Sequence, residues 1–500
     1  MKEASVKTNI IANFAGKAWI GIMSLVFIPL YIKFMGIEAY GLIGIFMSLM
    51  ALLSVLDMGL SATLSRELAR LSVSRKADQE SRDLVRTFEY IYWCVGIFIA
   101  LGLVALAPLV TQYWIKSEVI PAKTIQQALM IMGLVVAFQW PTSLYDGGLM
   151  GLQRQVLLNS VRGIMATIQH AGAVLVLWLI SPSILMYFSW QIFVSIVQTT
   201  LLARCVWISL PAASETSTFR SNLLKKNWRF AAGIMSISIM ALILTQADKI
   251  ILSKLLTLSL FGYYVLAFNL ANAIGLLVSP VFSALFPKLS QLITEKGNEN
   301  LVSEYYHKGC QLVSIIVFPV TGVLALFSLQ VLQLWVHDPV IAQNTHLLLT
   351  LLVVGSTFNA VMILPLTLQL AHGWTRLSFI KNLFAVIIFI PLMLWLVSLY
   401  GAIGAAIVWI ALNAGYFFIE IPIMHHRILT QDMWQWYIKD VGTPILIVII
   451  VSLCSFMIMP HMTSLYLTLI WILSTGIFSL LLSSLTVPLG REWIQRTLSF

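Results

Sequence analysis

A lysine lies inside the first apolar segment of this 500-residue chain, where a charge needs a partner or a purpose. Lys17 follows about eight residues of the segment, a depth of roughly 12 Å in a helix, and Asn13 lies one turn earlier on the same face. At membrane depth a charge costs about 2.5–3.5 kcal/mol, so it normally faces a cavity or a partner. A cation and an amide on one inward face suit an anionic ligand. The alternative is that Lys17 extends to the cytoplasmic headgroups.

Three further titratable residues lie in apolar segments and are candidate cavity residues. Asp248 and Lys249 are adjacent near the outer end of the seventh segment, and because neighbours on a helix point about 100° apart we do not expect them to pair. Either could line a cavity, or Lys249 could extend outward. His170 lies in the fifth segment and could titrate near neutral pH, although a satisfied core histidine is the alternative interpretation.

A second group of residues is predicted to serve structure or gating. Asp57, Asp146 and Glu420 lie near the predicted cytoplasmic ends of their segments, where pairing with arginines is expected. Pro29 and Pro141 fall within apolar segments, and each can kink a helix by removing a backbone hydrogen bond. Such kinked helices suit gating between inward-facing and outward-facing forms.

The composition places these residues in a membrane protein. The chain is 59% hydrophobic and 10% charged, whereas soluble domains carry about 25% charged residues. A spanning helix needs about 20 apolar residues, and about 14 such segments are present. They are approximately 9–32, 39–60, 90–113, 127–150, 162–180, 183–203, 229–252, 260–286, 309–335, 343–370, 379–399, 402–424, 441–459 and 463–486.

The net charge of +10 follows a pattern typical of membrane topology rather than of nucleic-acid binding. If the N-terminus is cytoplasmic, every arginine falls on the cytoplasmic side, and the outer side keeps only lysines. The loops are too short for an extramembrane domain. Both termini are therefore predicted to be cytoplasmic.

Similar fragments recur at a near-constant spacing. GLQRQ at Gly151 and GWTRL at Gly373 are 222 residues apart, and Tyr40-Gly41 and Phe261-Gly262 are 221 apart. A duplication of this kind usually builds a transporter from two similar halves. The sequence predicts an all-α polytopic fold: two parallel-repeat six-helix bundles at 1–220 and 221–430 around a central cavity, with two extra C-terminal helices at 431–500.

Several chemistries lack a sequence signal. No phosphate-binding G-x-x-x-x-G-K-[ST] loop is present, and neither the histidines nor the four cysteines show metal-ligand spacing. No cofactor is predicted. A polysaccharide polymerase or glycosyltransferase would usually need a large outer loop or soluble domain, so a non-enzymatic carrier or channel is favoured.

Four motif runs resemble the bacterial polysaccharide (O-antigen) flippases, whose superfamily also holds the multidrug and toxin extrusion carriers. They are NxxxNFxGKxW from Asn9, LDMGLSATLSRELA from Leu56, GLQRQVLLN from Gly151 and TQADKIILSKLLTLSLFGYY from Thr245. The resemblance implies a V-shaped, often cationic cavity between two six-helix bundles. It also implies transport of undecaprenyl-pyrophosphate-linked oligosaccharide from the cytoplasmic to the periplasmic leaflet of the bacterial inner membrane.

The same resemblance gives Lys17, Asn13 and Lys249 a ligand, the pyrophosphate and its oligosaccharide. The other expected partners are membrane lipids, a polysaccharide polymerase and a chain-length regulator. Nucleic acid is not an expected partner. Two alternatives stay open: a cation-coupled exporter of small molecules and a membrane-embedded polymerase. Multidrug carriers often use an acidic residue in the first helix, whereas this helix carries Lys17 and no acid.

Overall fold

The computed structural model describes most of the chain and is helical almost throughout. Its described residues are 6–57, 59–72, 78–212, 215–222, 239, 242–295, 297–460 and 464–491, with residues 6–11 described by their backbone alone. Within these ranges the one β-type contact is an isolated bridge between Lys116 and Thr257. The predicted all-α polytopic fold is confirmed.

In the described residues before 295 there are ten helices and one short 3-10 turn, at Ser54–Asp57. They are α1 Val6–Val26, α2 Ile28–Leu53, α3 Leu60–Leu71, α4 Asp78–Tyr113, α5 Ala122–Gln139, α6 Thr142–Gly151, α7 Gln155–Leu179, α8 Ile184–Ser209, α9 at 242–255 and α10 Leu258–Thr294.

The helices after residue 298 include two π-helical stretches, Tyr416–Glu420 and Trp436–Gly442. The α-helices are α11 Glu299–Leu326, α12 Ser328–Val336, α13 Pro339–Val361, α14 Ile363–Ala371, α15 Thr375–Tyr400, α16 Ala402–Gly415, α17 Ile421–Arg427, α18 Met433–Gln435, α19 Thr443–Ile458 and α20 Leu465–Thr486.

Twelve stretches of the described residues are long and apolar enough to cross a membrane. The predicted first span, 9–32, coincides with α1 and the start of α2, and much of the predicted seventh span, 229–252, lies outside the described residues. The total of about 14 therefore stays a prediction.

Prolines and glycines divide the long apolar segments. Pro29 occupies the first turn of α2, directly after α1 ends, and Pro141 separates α5 from α6. Gly36 interrupts α2 with a φ of 82°, which favours glycine because that residue has no Cβ. The predicted boundary between the first two spans lies at this glycine.

The chain separates into two compact units, Met1–Gly262 and Tyr263–Phe500. In the first unit, α3, α4, α6 and α8 share a core that includes Leu64, Phe88, Leu144 and Leu202, all fully buried. In the second unit, α11 packs against α13, α19 and α20. The domain boundaries at 220 and 430 stay a prediction.

The structure corrects the register of the repeated turns. Arg154 donates its N–H to the carbonyl of Leu149, and Trp374 donates to Gln369 in the same way, so these turns are 220 rather than 222 residues apart. Gln153 and Gly373, the residues just before, both have positive φ, 55° and 69°. Gly373 is thus the equivalent of Gln153, and Arg154 is the equivalent of Trp374.

Candidate functional site

Helix α1 has two faces of opposite character. At about 100° per residue, Asn13, Lys17 and Ser24 fall within about 40° of one another. The opposite face carries apolar residues that are 44–55% exposed, namely Trp19, Ile22 and Val26. If α1 spans the membrane, as the sequence predicts, this exposed apolar face suits contact with lipid. The polar face that carries Lys17 is therefore directed away from that surface.

Asn13 joins α1 to α7 through a cluster of side-chain amides. Its Nδ2 donates to Oε1 of Gln155 at 2.8 Å, and Nδ2 of Asn159 donates to its Oδ1 at 2.6 Å. Gly16 allows this approach, because a Cβ there would lie 2.7 Å from Oδ1 of Asn159. The predicted cavity residue Asn13 is therefore held in place by two partners.

Lys17 lies one helical turn beyond this amide cluster. Its side chain is exposed and makes no hydrogen bond or ion pair with any residue that the structure describes. An ammonium group with free donors, beside amides that donate and accept, can bind an anion whose attached groups carry hydroxyls.

His170 is packed in the interior of the first unit, whereas a residue that binds substrate must be accessible from a cavity. It is buried, its Nδ1 is 2.9 Å from the hydroxyl of Tyr31, and its ring stacks on Phe27 and Tyr31. These contacts are those of a satisfied core histidine, which was the alternative interpretation of the sequence.

Asp248 and Lys249 do form an ion pair, so the expectation that they would not pair is wrong. Nζ of Lys249 lies 3.2 Å from Oδ2 of Asp248 and also donates to the carbonyl of Thr245 at 3.0 Å. Both side chains are buried within α9. The four-carbon stem of a lysine is long enough to bend across the 100° between adjacent residues.

Asp57 is bound by hydroxyl groups, which corrects its expected pairing with an arginine. It accepts from the hydroxyl of Tyr92, from Ser61 Oγ at 2.9 Å and from Ser143 Oγ at 3.3 Å. Within the described ranges no arginine is paired with it. The carboxylate ties the end of α2 to α3, α4 and α6.

Asp146 and Glu420 are each bound by a cation. Arg162 binds Asp146 with two donors, Nε at 3.1 Å and a second, shorter contact from a terminal nitrogen, as predicted. Glu420 instead pairs with a lysine, Lys381, at 2.6 Å and accepts from Nε2 of Gln369 at 2.8 Å. The sequence analysis did not single out Lys381, although it lies in the predicted span 379–399.

A groove of about 790 Å³, lined by polar residues and by a larger share of apolar surface, lies beside Asp146 in the first unit. Its walls come from α3 and α6, which pack so closely that a Cβ on Gly147 would lie 2.3 Å from the carbonyl oxygen of Ser61. Gln155, the partner of Asn13, and Arg66 also line it. The groove therefore reaches the amide cluster below Lys17.

Glu67 stabilises α3 at this groove. Burial raises the pKa of its carboxyl, but hydrogen bonds from Arg66 and Arg70 outweigh burial and lower the pKa below its usual value. The ionised carboxylate holds both arginines at 2.8 Å.

The structure contains a buried polar cluster that the sequence interpretation missed. His307 of α11 contacts the carboxylate of Asp440 through Nδ1, and Gln311 donates to the other oxygen at 2.8 Å. Nε2 of His307 lies 3.5 Å from Asp432. Asp440 lies within the π-helical stretch Trp436–Gly442 before α19, just outside the predicted span 441–459. Its position beside that span was the available signal.

The described residues hold no group of three or more His, Cys, Asp or Glu side chains placed to bind a metal ion. The four cysteines are free thiols.

Solved structures with the same fold are membrane transporters. The chain is similar to the lipid II flippase MurJ in an inward closed conformation, with a TM-score of 0.68 and 15% identity over 95% of this chain and 98% of that one. It is also similar to the MATE multidrug transporter DinF-BH, with a TM-score of 0.62 and 15% identity over 85% and 96%. The architecture is therefore that of the multi-pass MurJ- and MATE-type membrane proteins.

The family follows from the sequence comparison. A family model described as polysaccharide biosynthesis protein matches residues 6–293, which is more than half of the chain, and the chain belongs to this family. A relative from Shigella flexneri, provisionally named an O-antigen transporter, is 22% identical over 417 residues, covering 81% of this chain and 94% of the relative.

Proposed function

We propose that the protein moves undecaprenyl-pyrophosphate-linked oligosaccharide repeat units from the cytoplasmic to the periplasmic leaflet of the bacterial inner membrane, by alternating access. The observation that carries the proposal is the position of Lys17 on the polar face of α1, opposite the exposed apolar face. In this proposal, both termini of the protein are cytoplasmic, and the protein is a carrier without catalytic activity.

The chemistry of this face fits the two parts of such a substrate. The ammonium group of Lys17 offers three donors to the pyrophosphate. The amides of Asn13, Gln155 and Asn159, one turn away, suit sugar hydroxyls because each amide can both donate and accept. Gln155 also lines the groove beside Asp146, and we propose that the oligosaccharide approaches the amides through this groove.

Family membership and the names of the relatives support this substrate. The family takes its name from polysaccharide biosynthesis, one relative carries the name of an O-antigen transporter, and the similar MurJ structure is of a lipid II flippase. Each of these names concerns a polysaccharide or its lipid-linked precursor. A polysaccharide polymerase and a chain-length regulator, which act in the synthesis of the surface polysaccharide, are the proposed protein partners.

We retain two six-helix halves, 1–220 and 221–430, with two further helices at 431–500, as the proposed repeat organisation. Pro29 and Pro141 are the proposed hinges, because each lies where one helix ends and the next begins. Asp248 and Lys249 are proposed to line the path as a buried pair.

The test is the surface polysaccharide of a deletion strain complemented with variants. Lys17→Ala should abolish or strongly reduce the lipopolysaccharide ladder on a gel, and Lys17→Arg should restore it because the charge is kept. The matched control is Lys123→Gln, which removes an exposed lysine at the start of α5 and should leave the ladder unchanged. A normal ladder with Lys17→Ala, at wild-type protein levels, would refute the anion site.

A cation-coupled exporter of small molecules is the second candidate, because the fold is shared with MATE transporters. The absence of an acidic residue from the described part of α1 disfavours it. If the protein is such an exporter, its deletion should cause drug sensitivity and leave the lipopolysaccharide ladder normal.

A polymerase is the third candidate. Loss of a polymerase would leave single repeat units at the surface, whereas loss of a flippase leaves none.

A further inference from the structure

Two segments from the predicted outer side meet around one buried carboxylate. Glu38 begins the second part of α2, just after the break at Gly36, and is 4% exposed. Its oxygens accept hydrogen bonds from the loop between α4 and α5: from Ser117 Oγ at 2.8 Å and from the N–H groups of Glu118, Val119 and Ile120 at 2.9, 3.1 and 3.0 Å. One carboxylate therefore fixes four consecutive residues of that loop.

A third segment, from α9 into α10, joins the same site. Ser259 Oγ donates to Oε1 of Glu38 at 3.1 Å. The N–H of Leu258 donates to the carbonyl of Lys116 at 2.7 Å, and Nζ of Lys116 donates to the carbonyl of Leu255 at 3.0 Å. All three segments belong to the unit 1–262.

The backbones touch directly beside Glu38, at a pair of repeated glycines. A Cβ on Gly41 would lie 2.6 Å from the carbonyl oxygen of Leu258, and a Cβ on Gly262 would lie 2.5 Å from that of Ile37. The two contacts are reciprocal, because residues 37 and 41 correspond to 258 and 262 at the 221-residue spacing. The repeated Tyr-Gly and Phe-Gly fragments thus mark a close approach, within the unit 1–262, between α2 and the first residues of α10.

The loop depends on Glu38 because the N–H groups of Glu118 and Val119 donate to its carboxylate, whereas the N–H of Ile120 also donates to Ser117 Oγ within the loop, at 3.0 Å. Helix α5 begins after Pro121 without a side-chain cap. Helix α13, by contrast, begins at Asp338, whose carboxylate accepts from its own Val340 and Ile341. Since Glu38 is 79 to 82 residues away from the loop in sequence, its hydrogen bonds break if the segments separate. Water at the outer surface can then satisfy both the carboxylate and the freed N–H groups.

We propose that Glu38 is a releasable latch that holds the outer ends of α2, the α4–α5 loop and α10 together, and that its release opens the path to the outside. The inference rests on the alternating-access transport proposed above. It assigns to Glu38 a role in the conformational equilibrium and none in binding the substrate.

A cysteine reporter beside the latch tests this role. Ala39 is 1% exposed, so Ala39→Cys, in a background without the four native cysteines, should react slowly with a membrane-impermeant maleimide added to right-side-out vesicles. Glu38→Gln removes the charge that strengthens these hydrogen bonds and should raise the labelling rate about tenfold, equivalent to a shift of about 1.4 kcal/mol. Ser259→Ala, which removes one hydrogen bond, should raise it less.

Glu118→Gln is the matched control, because it removes an exposed carboxylate from the same loop while its N–H still reaches Glu38. It should label at the rate of the parent. Equal rates for Glu38→Gln and the parent, or an equal rise with Glu118→Gln, would overturn the latch. The thermal unfolding midpoint of each variant shows that it is folded. Because labelling needs no substrate, this result is independent of the Lys17 test of transport.

Discussion

The buried cluster around Asp440 gives a quantitative prediction about how the last two helices are attached. Asp440 is fully buried and binds His307 and Gln311 of α11, and Gln311 Oε1 in turn accepts from the N–H of Leu489 after α20, at 3.2 Å. These hydrogen bonds connect both ends of the α19–α20 hairpin to one helix. Asp440→Ala should therefore loosen the hairpin within the second unit.

The expected loss follows from the partners left behind. When His307 is protonated, loss of its buried carboxylate partner costs about 3–5 kcal/mol, because the charge on the imidazole ring stays buried. Asp432, 3.5 Å from His307, offsets part of that cost, so we expect about 3 kcal/mol. For a domain of 150–250 residues this lowers the midpoint of unfolding by about 6–12 °C.

Cys310 supplies the assay, since it is buried in this cluster and accepts from Nε1 of Trp436 at 3.3 Å. In a variant that keeps only Cys310, a thiol-reactive dye reports the opening of the second unit during heating. Lys308→Ala is the matched control, because its pair with Glu304 is exposed and worth less than about 1 kcal/mol.

A double variant distinguishes an ion pair from simple loss of packing. When both His307 and Asp440 are replaced by leucine, no charge is left unpaired, and the double variant should be more stable than Asp440→Ala. A midpoint for Asp440→Ala within about 1 °C of the parent, or a double variant whose loss equals the sum of the single losses, would refute this reasoning.

Three further predictions concern the first unit. Gly41→Ala places a Cβ 2.6 Å from a backbone carbonyl and should lower the unfolding midpoint, whereas Gly102→Ala, with nothing within 4 Å, should be neutral or slightly stabilising. Arg162→Lys should destabilise more than a surface substitution, by about 1–2 kcal/mol in thermal unfolding, because lysine cannot reproduce the two-donor contact with Asp146. Because the pKa of Glu67 is lowered in the folded state, its contribution to stability is complete at neutral pH. That contribution is lost as the pH falls through the lowered pKa, so the midpoints of the parent and Glu67→Gln should converge in acid.

The structure shows what the last two long helices, α19 and α20, contact within the second unit. Both helices lie outside the proposed repeat, and the sequence does not indicate what they contact. In the second unit they pack against α11, with Asp440 and Gln311 as polar contacts between them. The two helices are therefore integrated into the packing of that unit.

The repeat illustrates how sequence similarity and structural equivalence can differ by two residues. Matching letters aligned Arg154 with Arg376, whereas the hydrogen bonds of the turns align Arg154 with Trp374. The backbone sets this equivalence, because the turn needs a positive φ at one position, supplied by Gln153 in one copy and Gly373 in the other. A glycine there is favourable and other residues are tolerated, so the letters alone misplaced the match.

The sequence by itself determined the class of fold. Long apolar stretches with few charges must form helices in a membrane, because each backbone group must be satisfied within its own segment. The same reasoning identified Lys17 and Asn13 as unusual, since polar groups at that depth are costly.

Only the tertiary structure decided which polar groups are partners. Asp57 binds hydroxyls, Glu420 binds Lys381, and Asp248 binds its neighbour Lys249. Glu38 binds a loop about 80 residues away, which no local pattern indicates. Hydropathy is a local property of the chain, whereas a hydrogen bond between distant segments depends on how the helices pack. The depth of a charge can therefore be predicted from the sequence, but its partner depends on the packing.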